Sequence, residues 1–296
     1  MIIVNTPKLE FIPEEKRLNG ISLILRVKNG EDYLKTCMLA AVDQVDEIIA
    51  VFNDSIDRTE EILVEMENAY PQKIKLFKYM PKVYPPNDDY YKKNSIRSDD
   101  PHSLSHYYNF ALSKTKYSHV CKFDDDNLMF PNSFRSLKSE VEKKNNTVAI
   151  GLRGINLFDL KGRLYINKMN EHTSGGDTVM FKYNSKCRFV QTVPYEVFQS
   201  PYKTVHISVC FYHLKSCKKD RGLNNYDTAH NHTSRYIDMF KKFFGQAQLI
   251  PLETYNQNTG RMDPKDLGFD FINGGVKTYI HDLFIKLESD LEKRYK

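Results

Sequence analysis

The chain of 296 residues has no tryptophan, and its five cysteines (Cys37, Cys121, Cys187, Cys210 and Cys217) are odd in number, with no Cys-x-x-Cys pair. That pattern argues against a disulfide framework and against zinc, and leaves reduced thiols in a cytosolic protein as the expectation. No run approaches the roughly 18 apolar residues of a membrane span. The N-terminus, Met1-Ile2-Ile3-Val4-Asn5-Thr6, lacks the basic start and long apolar core of a signal peptide. The expected setting is the cytoplasm, free or attached peripherally to the inner face of the membrane. No basic stripe is interleaved with aromatics, and a formal charge of +5 with a pI near 8.7 is too weak to argue for nucleic acid. Such a charge is compatible with an anionic substrate. Repeats, low-complexity tracts and linkers are lacking too, which favours one continuous domain over residues 1–296.

What is present suits a large core: 41% of the residues are hydrophobic, and 19 Tyr and 18 Phe supply aromatic bulk. The first half alternates strand and helix patterns. Strands are expected at Ile21–Val27, Glu47–Phe52, Lys73–Tyr79 and His119–Phe123. Helices are expected at Glu31–Val42, from Asp57 onward through Ile62, Leu63 and Met66, at His102–Lys114 and from about Ser133. Strands separated by helices imply βαβ units and a mainly parallel sheet, an α/β fold. Residues 81–100, with Pro81, Pro85 and Pro86, form a loop long enough to suspect a lid. The second half is less regular. It offers strands at Thr147–Gly151, Val179–Lys182 and His206–His213, and a hairpin around Leu160-Lys161-Gly162-Arg163. Amphipathic helices are expected at Ile237–Phe244 and Tyr279–Lys293.

The most informative stretch is His119-Val120-Cys121-Lys122-Phe123, a short strand-like run that ends in Asp124-Asp125-Asp126-Asn127. If the alternation of a strand continues, Asp124 and Asp126 point the same way. Two such carboxylates form a hard-oxygen site for a divalent cation, Mg²⁺ or Mn²⁺, that keeps waters and binds substrate phosphates. The carboxyl end of a strand is also where ligands bind in an α/β sheet. The same residues suit a plain turn ahead of Pro131 with no metal involved.

Three segments in order carry a resemblance. They are Ile21-Ser22-Leu23-Ile24-Leu25-Arg26-Val27-Lys28-Asn29-Gly30-Glu31-Asp32-Tyr33-Leu34, then Val45 to Thr59 with its Asn53-Asp54-Ser55-Ile56-Asp57 turn, then Asp124-Asp125-Asp126. Together they resemble family 2 glycosyltransferases of the GT-A fold over about residues 20–135. The resemblance implies a nucleotide-sugar-binding half (about 20–135) and an acceptor-binding half (about 136–296). It also implies metal-assisted transfer of a sugar to a glycan or lipid-linked acceptor, of the kind used in bacterial surface polysaccharide synthesis. Donor contacts are expected at Arg26, Asn53, Asp54, Asp124 and Asp125, and the metal at Asp124 and Asp126 in the DxD position. Some GT-A enzymes add a histidine from the C-terminal half, which brings His213 forward as a third ligand. The chain departs from the pattern at Phe52, where many relatives have an Asp that reads the base, and at Asn53, where a second Asp is common.

A base must take the acceptor's proton. Asp177 is the first candidate, because Gly175-Gly176 permits close approach of backbone and ligand. Asp220, in Lys218-Lys219-Asp220-Arg221-Gly222, is the second. Each also reads as the polar member of an ordinary turn or charged loop. Lys215, Lys218, Lys219 and Arg221 suit a diphosphate or a solvated face equally. Asp57 reads as a helix cap with Glu60 three residues on. Two other readings stay open: a sugar nucleotidyltransferase, disfavoured by the single glycine in Arg26–Gly30, and a non-catalytic carbohydrate-binding protein on a decayed transferase fold.

Overall fold

The computed structural model describes residues 1–84, 88, 90, 96–173, 178–192, 196–219, 248–272 and 293, with the backbone alone at 207 and 208. Its strands are β1 (Ile2–Val4), β2 (Leu18–Val27), β3 (Glu47–Phe52), β4 (Ile74–Tyr79), β5 (Tyr117–Phe123), β6 (Asn127–Met129), β7 (Val148–Leu160), β8 (Arg163–Asn167), β9 (Val179–Lys182), β10 (Arg188–Gln191), β11 (Glu196–Gln199), β12 (Lys203–Ser216) and β13 (Leu249–Pro251). The helices are α1 (Leu34–Val42), α2 (Thr59–Ala69), α3 (Leu104–Ser113), α4 (Ser133–Lys143) and α5 (Leu252–Thr259). The helix expected at Ile237–Phe244, and all of Tyr279–Lys293 but its last residue, lie outside the described residues.

One sheet runs β1-β4-β3-β2-β5-β9-β7-β12-β6, with β8 beside β7 and β13 beside β8. Its first five strands are mutually parallel, and β9 enters antiparallel between β5 and β7. The sheet is therefore mixed, with its parallel part in the first half, and helices flank it as the GT-A resemblance implied. The β7–β8 hairpin closes through Lys161 and Gly162, both at positive φ (49° and 80°), the conformation of a tight hairpin turn.

Two apolar layers cover the parallel strands. Leu23, Leu25, Val27, Ile48, Ala50 and Phe52 pack with α1, α2 and α4, while Ile24, Ile49 and Val51 pack with α3. This is the period-two alternation of strands buried on both faces. Ser103 caps α3 by accepting from the His106 N–H at 3.0 Å, so the helix begins after His102. Tyr107 on α3 donates its hydroxyl to the Val51 carbonyl at 2.7 Å, pinning the helix over the carboxyl ends of the strands. In β7, a Cβ at Gly154 would lie 2.2 Å from the Phe211 ring on β12. Gly154→Ala should therefore cost about 1–3 kcal/mol in denaturant unfolding. An unchanged midpoint would contradict the close approach of these strands.

Two buried histidines brace this frame. His106 Nδ1 lies 2.9 Å from the Tyr79 hydroxyl, and His119 Nε2 lies 3.2 Å from Asn146 Oδ1. Burial lowers both pKa values below the ordinary 6.5. The unfolded chain therefore takes up these protons first on acidification. The stability contributed by the neutral rings is complete above the unfolded value and is lost as the pH falls through it. Urea midpoints should fall between pH 7 and pH 5, and His119→Gln should flatten part of that slope. The same slope in the variant would remove His119 as a source.

Candidate active site

The turns after β2 and β3 are laced together at the carboxyl edge. Lys28 pairs with Asp54 at 3.1 Å, the Asn29 N–H donates to Ser55 Oγ at 3.2 Å, and the Gly30 N–H donates to Thr59 Oγ1 at 2.7 Å. Asp57 accepts from the Glu31 N–H at 3.0 Å and the Thr59 N–H at 3.0 Å, so its carboxylate works as a helix-start and turn brace. Asn53 is buried at the end of β3, with its amide near the Pro81 carbonyl at 3.4 Å. Gly30 lies against the neighbouring turn: a Cβ there would sit 2.8 Å from Asp125 Oδ2.

The carboxylates lie one strand over. β5 stops at Phe123 and the chain turns, with the Asn127 N–H donating to the Asp124 carbonyl at 3.2 Å. The alternation that would align Asp124 with Asp126 therefore ends before it reaches them. Asp124 pairs with Lys122 at 3.6 Å. Asp125 and Asp126 instead share one ammonium: Lys218 Nζ lies 2.8 Å from Asp125 Oδ2 and 3.2 Å from Asp126 Oδ2. All three residues are less than 10% exposed.

His213 arrives through β6, a short strand the sequence pattern did not reveal. β6 pairs antiparallel with β12, setting His213 opposite Asn127, and the Leu214 N–H donates to the Asp126 carbonyl at 2.8 Å. His213 Nε2 then stands 3.6 Å from Asp126 Oδ1. Beyond β12 the chain turns back, and the Lys219 N–H donates to Asp32 Oδ2 at 2.9 Å, which holds Lys218 at the carboxylates.

Burial alone would raise both carboxyl groups. At Asp126 the charges of Lys218, His213 and Lys215 outweigh it and hold the group well below the usual carboxylate range. At Asp125 burial prevails over Lys218, the Asp126 charge adds repulsion, and the group is pushed up to about 6. The two share a counterion and titrate as a pair.

The donor set at Asp126 fits a divalent cation in part. His213 Nδ1 lies 2.7 Å from Asn156 Oδ1. An amide oxygen only accepts, so Nδ1 carries a proton, and Nε2 is the ring nitrogen on the Asp126 side. One imidazole nitrogen and one carboxylate oxygen suit Mn²⁺ or Mg²⁺ that keeps water and substrate oxygens as its remaining ligands. Asp124 stands apart with Lys122, and among the described residues no three His, Cys, Asp or Glu side chains gather to hold a metal. Of the expected triad of Asp124, Asp126 and His213, the last two face each other at 3.6 Å while Asp124 pairs with Lys122.

Asp177, Asp220 and Arg221 lie outside the described residues, as does part of the 81–100 loop. Thr178, which follows Asp177, accepts from Asn127 Nδ2 at 3.0 Å. Arg26, at the end of β2, stacks its guanidinium 4.7 Å from the Tyr108 ring, and the charges of Asp124 and Glu196 act on it. Tyr108, Lys122, Glu196 and the ion-pairing of Lys218 were not foreseen from sequence. The only signal was the bulky Tyr107-Tyr108 pair in a helical pattern.

The family model described as Glycosyl transferase family 2 matches residues 22–79, which run from β2 through β4. On that segment the chain is similar to family 2 glycosyl transferases. Among solved structures, TarS residues 1–349 from S. aureus is 12% identical, the likeness covering 82% of this chain and 78% of that one at a TM-score of 0.42. The same protein in complex with UDP is 14% identical, with coverages of 81% and 78% and a TM-score of 0.43. Glucosyl-3-phosphoglycerate synthase from Mycobacterium tuberculosis, in complex with Mn²⁺, UDP and phosphoglyceric acid, is 15% identical, with coverages of 49% and 44% and a TM-score of 0.32. At these identities and TM-scores no residue role passes from them to this chain. No curated protein matches the sequence.

Proposed function

We propose that the protein transfers a sugar from a nucleotide sugar to a glycan or glycolipid acceptor, with a divalent cation held by Asp126 and His213. One observation carries this reading: Asp125, Asp126, His213 and Lys218 converge at the carboxyl edge of β5, next to β2 and the segment with the family signature. Bound there, a divalent cation supplies neutralisation of the leaving diphosphate. The chain's own residues do the rest. Asp126 stays ionised at any working pH, His213 presents a fixed tautomer, and Lys218 adds a second positive charge at the same carboxylates. Asn53 and Asp54, at the end of β3, are the proposed contacts to the base or ribose. Asp177, directly before Thr178, is the proposed base for the acceptor hydroxyl, with Asp220 second. The setting in surface polysaccharide assembly rests on the family resemblance alone. No helix among the described residues is long and apolar enough to cross a membrane.

A thermal-shift screen of UDP-, GDP-, CMP- and dTDP-sugars with Mn²⁺ tests the reading, because a ligand of the folded state alone raises the melting temperature. One donor should raise it by several degrees, and no shift with any of them would count against a nucleotide-sugar enzyme.

A further inference from the structure

Arg26 occupies the next-to-last position of β2. Its neighbours Leu25 and Val27 face the α1 and α2 layer, so by alternation Arg26 lies on the α3 side with Ile24. There its guanidinium stacks on the Tyr108 ring, and Lys122 Nζ lies 5.0 Å from the same ring. This cation pair sits on the Asp124 side of the carboxylate turn, apart from the Asp125–Asp126–Lys218 cluster.

Arg26 Nε and Tyr108 Oη are both buried without a hydrogen-bond partner. The charges of Asp124 and Glu196 act on the guanidinium, and Asp124 also pairs with Lys122 at 3.6 Å. Buried polar groups are paired in the great majority of cases, and a guanidinium has five N–H donors to place. Stacking on Tyr108 accounts for the cation but leaves the tyrosine hydroxyl unexplained. Two adjacent orphaned groups that can both donate, at the ligand-binding edge of a parallel sheet, match an oxyanion that accepts two hydrogen bonds.

We propose that Arg26 and Tyr108 form an oxyanion subsite for the substrate, distinct from the Asp126–His213 pair. The inference rests on the nucleotide-sugar reading. The oxyanion is either a phosphate of the donor's diphosphate or a carboxylate on the transferred sugar. Two buried polar atoms without a partner cost the free protein stability, the usual sign of groups kept for binding rather than for folding.

Titration calorimetry on wild type, Arg26→Met and Arg26→Lys separates the cases, with UDP, UDP-glucose and UDP-glucuronate and, in parallel, GDP, GDP-mannose and GDP-mannuronate. Arg26→Met should weaken binding about 10- to 100-fold, the worth of a charged hydrogen bond. Arg26→Lys should fall between, because it keeps the charge and loses the fork. Loss with the nucleoside diphosphate alone and with both sugars assigns the oxyanion to the diphosphate; loss confined to the uronate donors assigns it to the sugar. Unliganded Arg26→Met should melt within a few degrees of wild type, since the variant loses the Tyr108 stack and the Asp124 and Glu196 attraction together with the burial cost of the guanidinium. A marked fall in melting temperature, or equal binding by wild type and Arg26→Met, overturns the subsite and leaves the transferase reading standing. Failure of wild type to bind any of the six ligands overturns both.

Discussion

Asp126→Asn should reduce sugar transfer by at least about a hundredfold, the scale expected when a charge-stabilising group is removed from the reacting centre. Asp126 is buried, yet its carboxyl stays ionised because Lys218, His213 and Lys215 surround it. An amide of the same shape keeps the packing but carries no negative charge, so it cannot hold a cation beside His213. The fold should survive, because Lys218 retains Asp125 at 2.8 Å. The measurement is kcat at saturating donor with Mn²⁺, alongside a melting curve. Full kcat in the variant would remove Asp126 from the chemistry. Lost activity together with a collapsed melting temperature would make it a structural residue instead.

Lys218→Met should destabilise the protein by about 3–5 kcal/mol, the cost of leaving a buried charge without its partner. Lys218 bonds two buried carboxylates at once, and both would be left facing each other. The burden falls unequally. Asp125 is already pushed up to about 6 and gives up its charge readily, whereas Asp126 is held ionised. Adding Asp125→Asn to Lys218→Met should therefore restore part of the loss, a positive coupling between neighbours in one network. Denaturant unfolding of the two single variants and the double variant reads it directly. If Lys218→Met unfolds at the wild-type midpoint, the ammonium is not the counterion of this pair.

The parallel half of the fold was legible because its strands are buried on both faces. Glu47–Phe52 reads as an apolar run after its first residue and folds as β3 with those bounds; outside that half, Val179–Lys182 folds with its expected bounds as the antiparallel β9. Short elements with no pattern of their own were not legible. β6 spans Asn127–Met129 and exists because β12 pairs with it, a contact nearly ninety residues away in sequence. That pairing is also what brings His213 to Asp126, so the histidine was a candidate from the resemblance but its neighbour was not derivable. The common facing expected of Asp124 and Asp126 rests on alternation, which needs a strand, and the strand stops at Phe123. Lys218 illustrates the same limit in electrostatics. Within Lys215-Ser216-Cys217-Lys218-Lys219 it looks like any solvated lysine, and only the turn-back after β12 buries it between two carboxylates.

The most direct test is cleavage of the donor itself. Purified protein is incubated with Mn²⁺ and each of UDP-, GDP-, CMP- and dTDP-sugars, and release of the free nucleotide is followed by chromatography, with Asp126→Asn in parallel. The expected result is slow hydrolysis of one donor by wild type in the absence of acceptor, lost in Asp126→Asn and on chelation with EDTA. Release of nucleotide by the variant at the wild-type rate, or no release from any donor in either protein, would contradict a nucleotide-sugar transferase centred on Asp126 and His213.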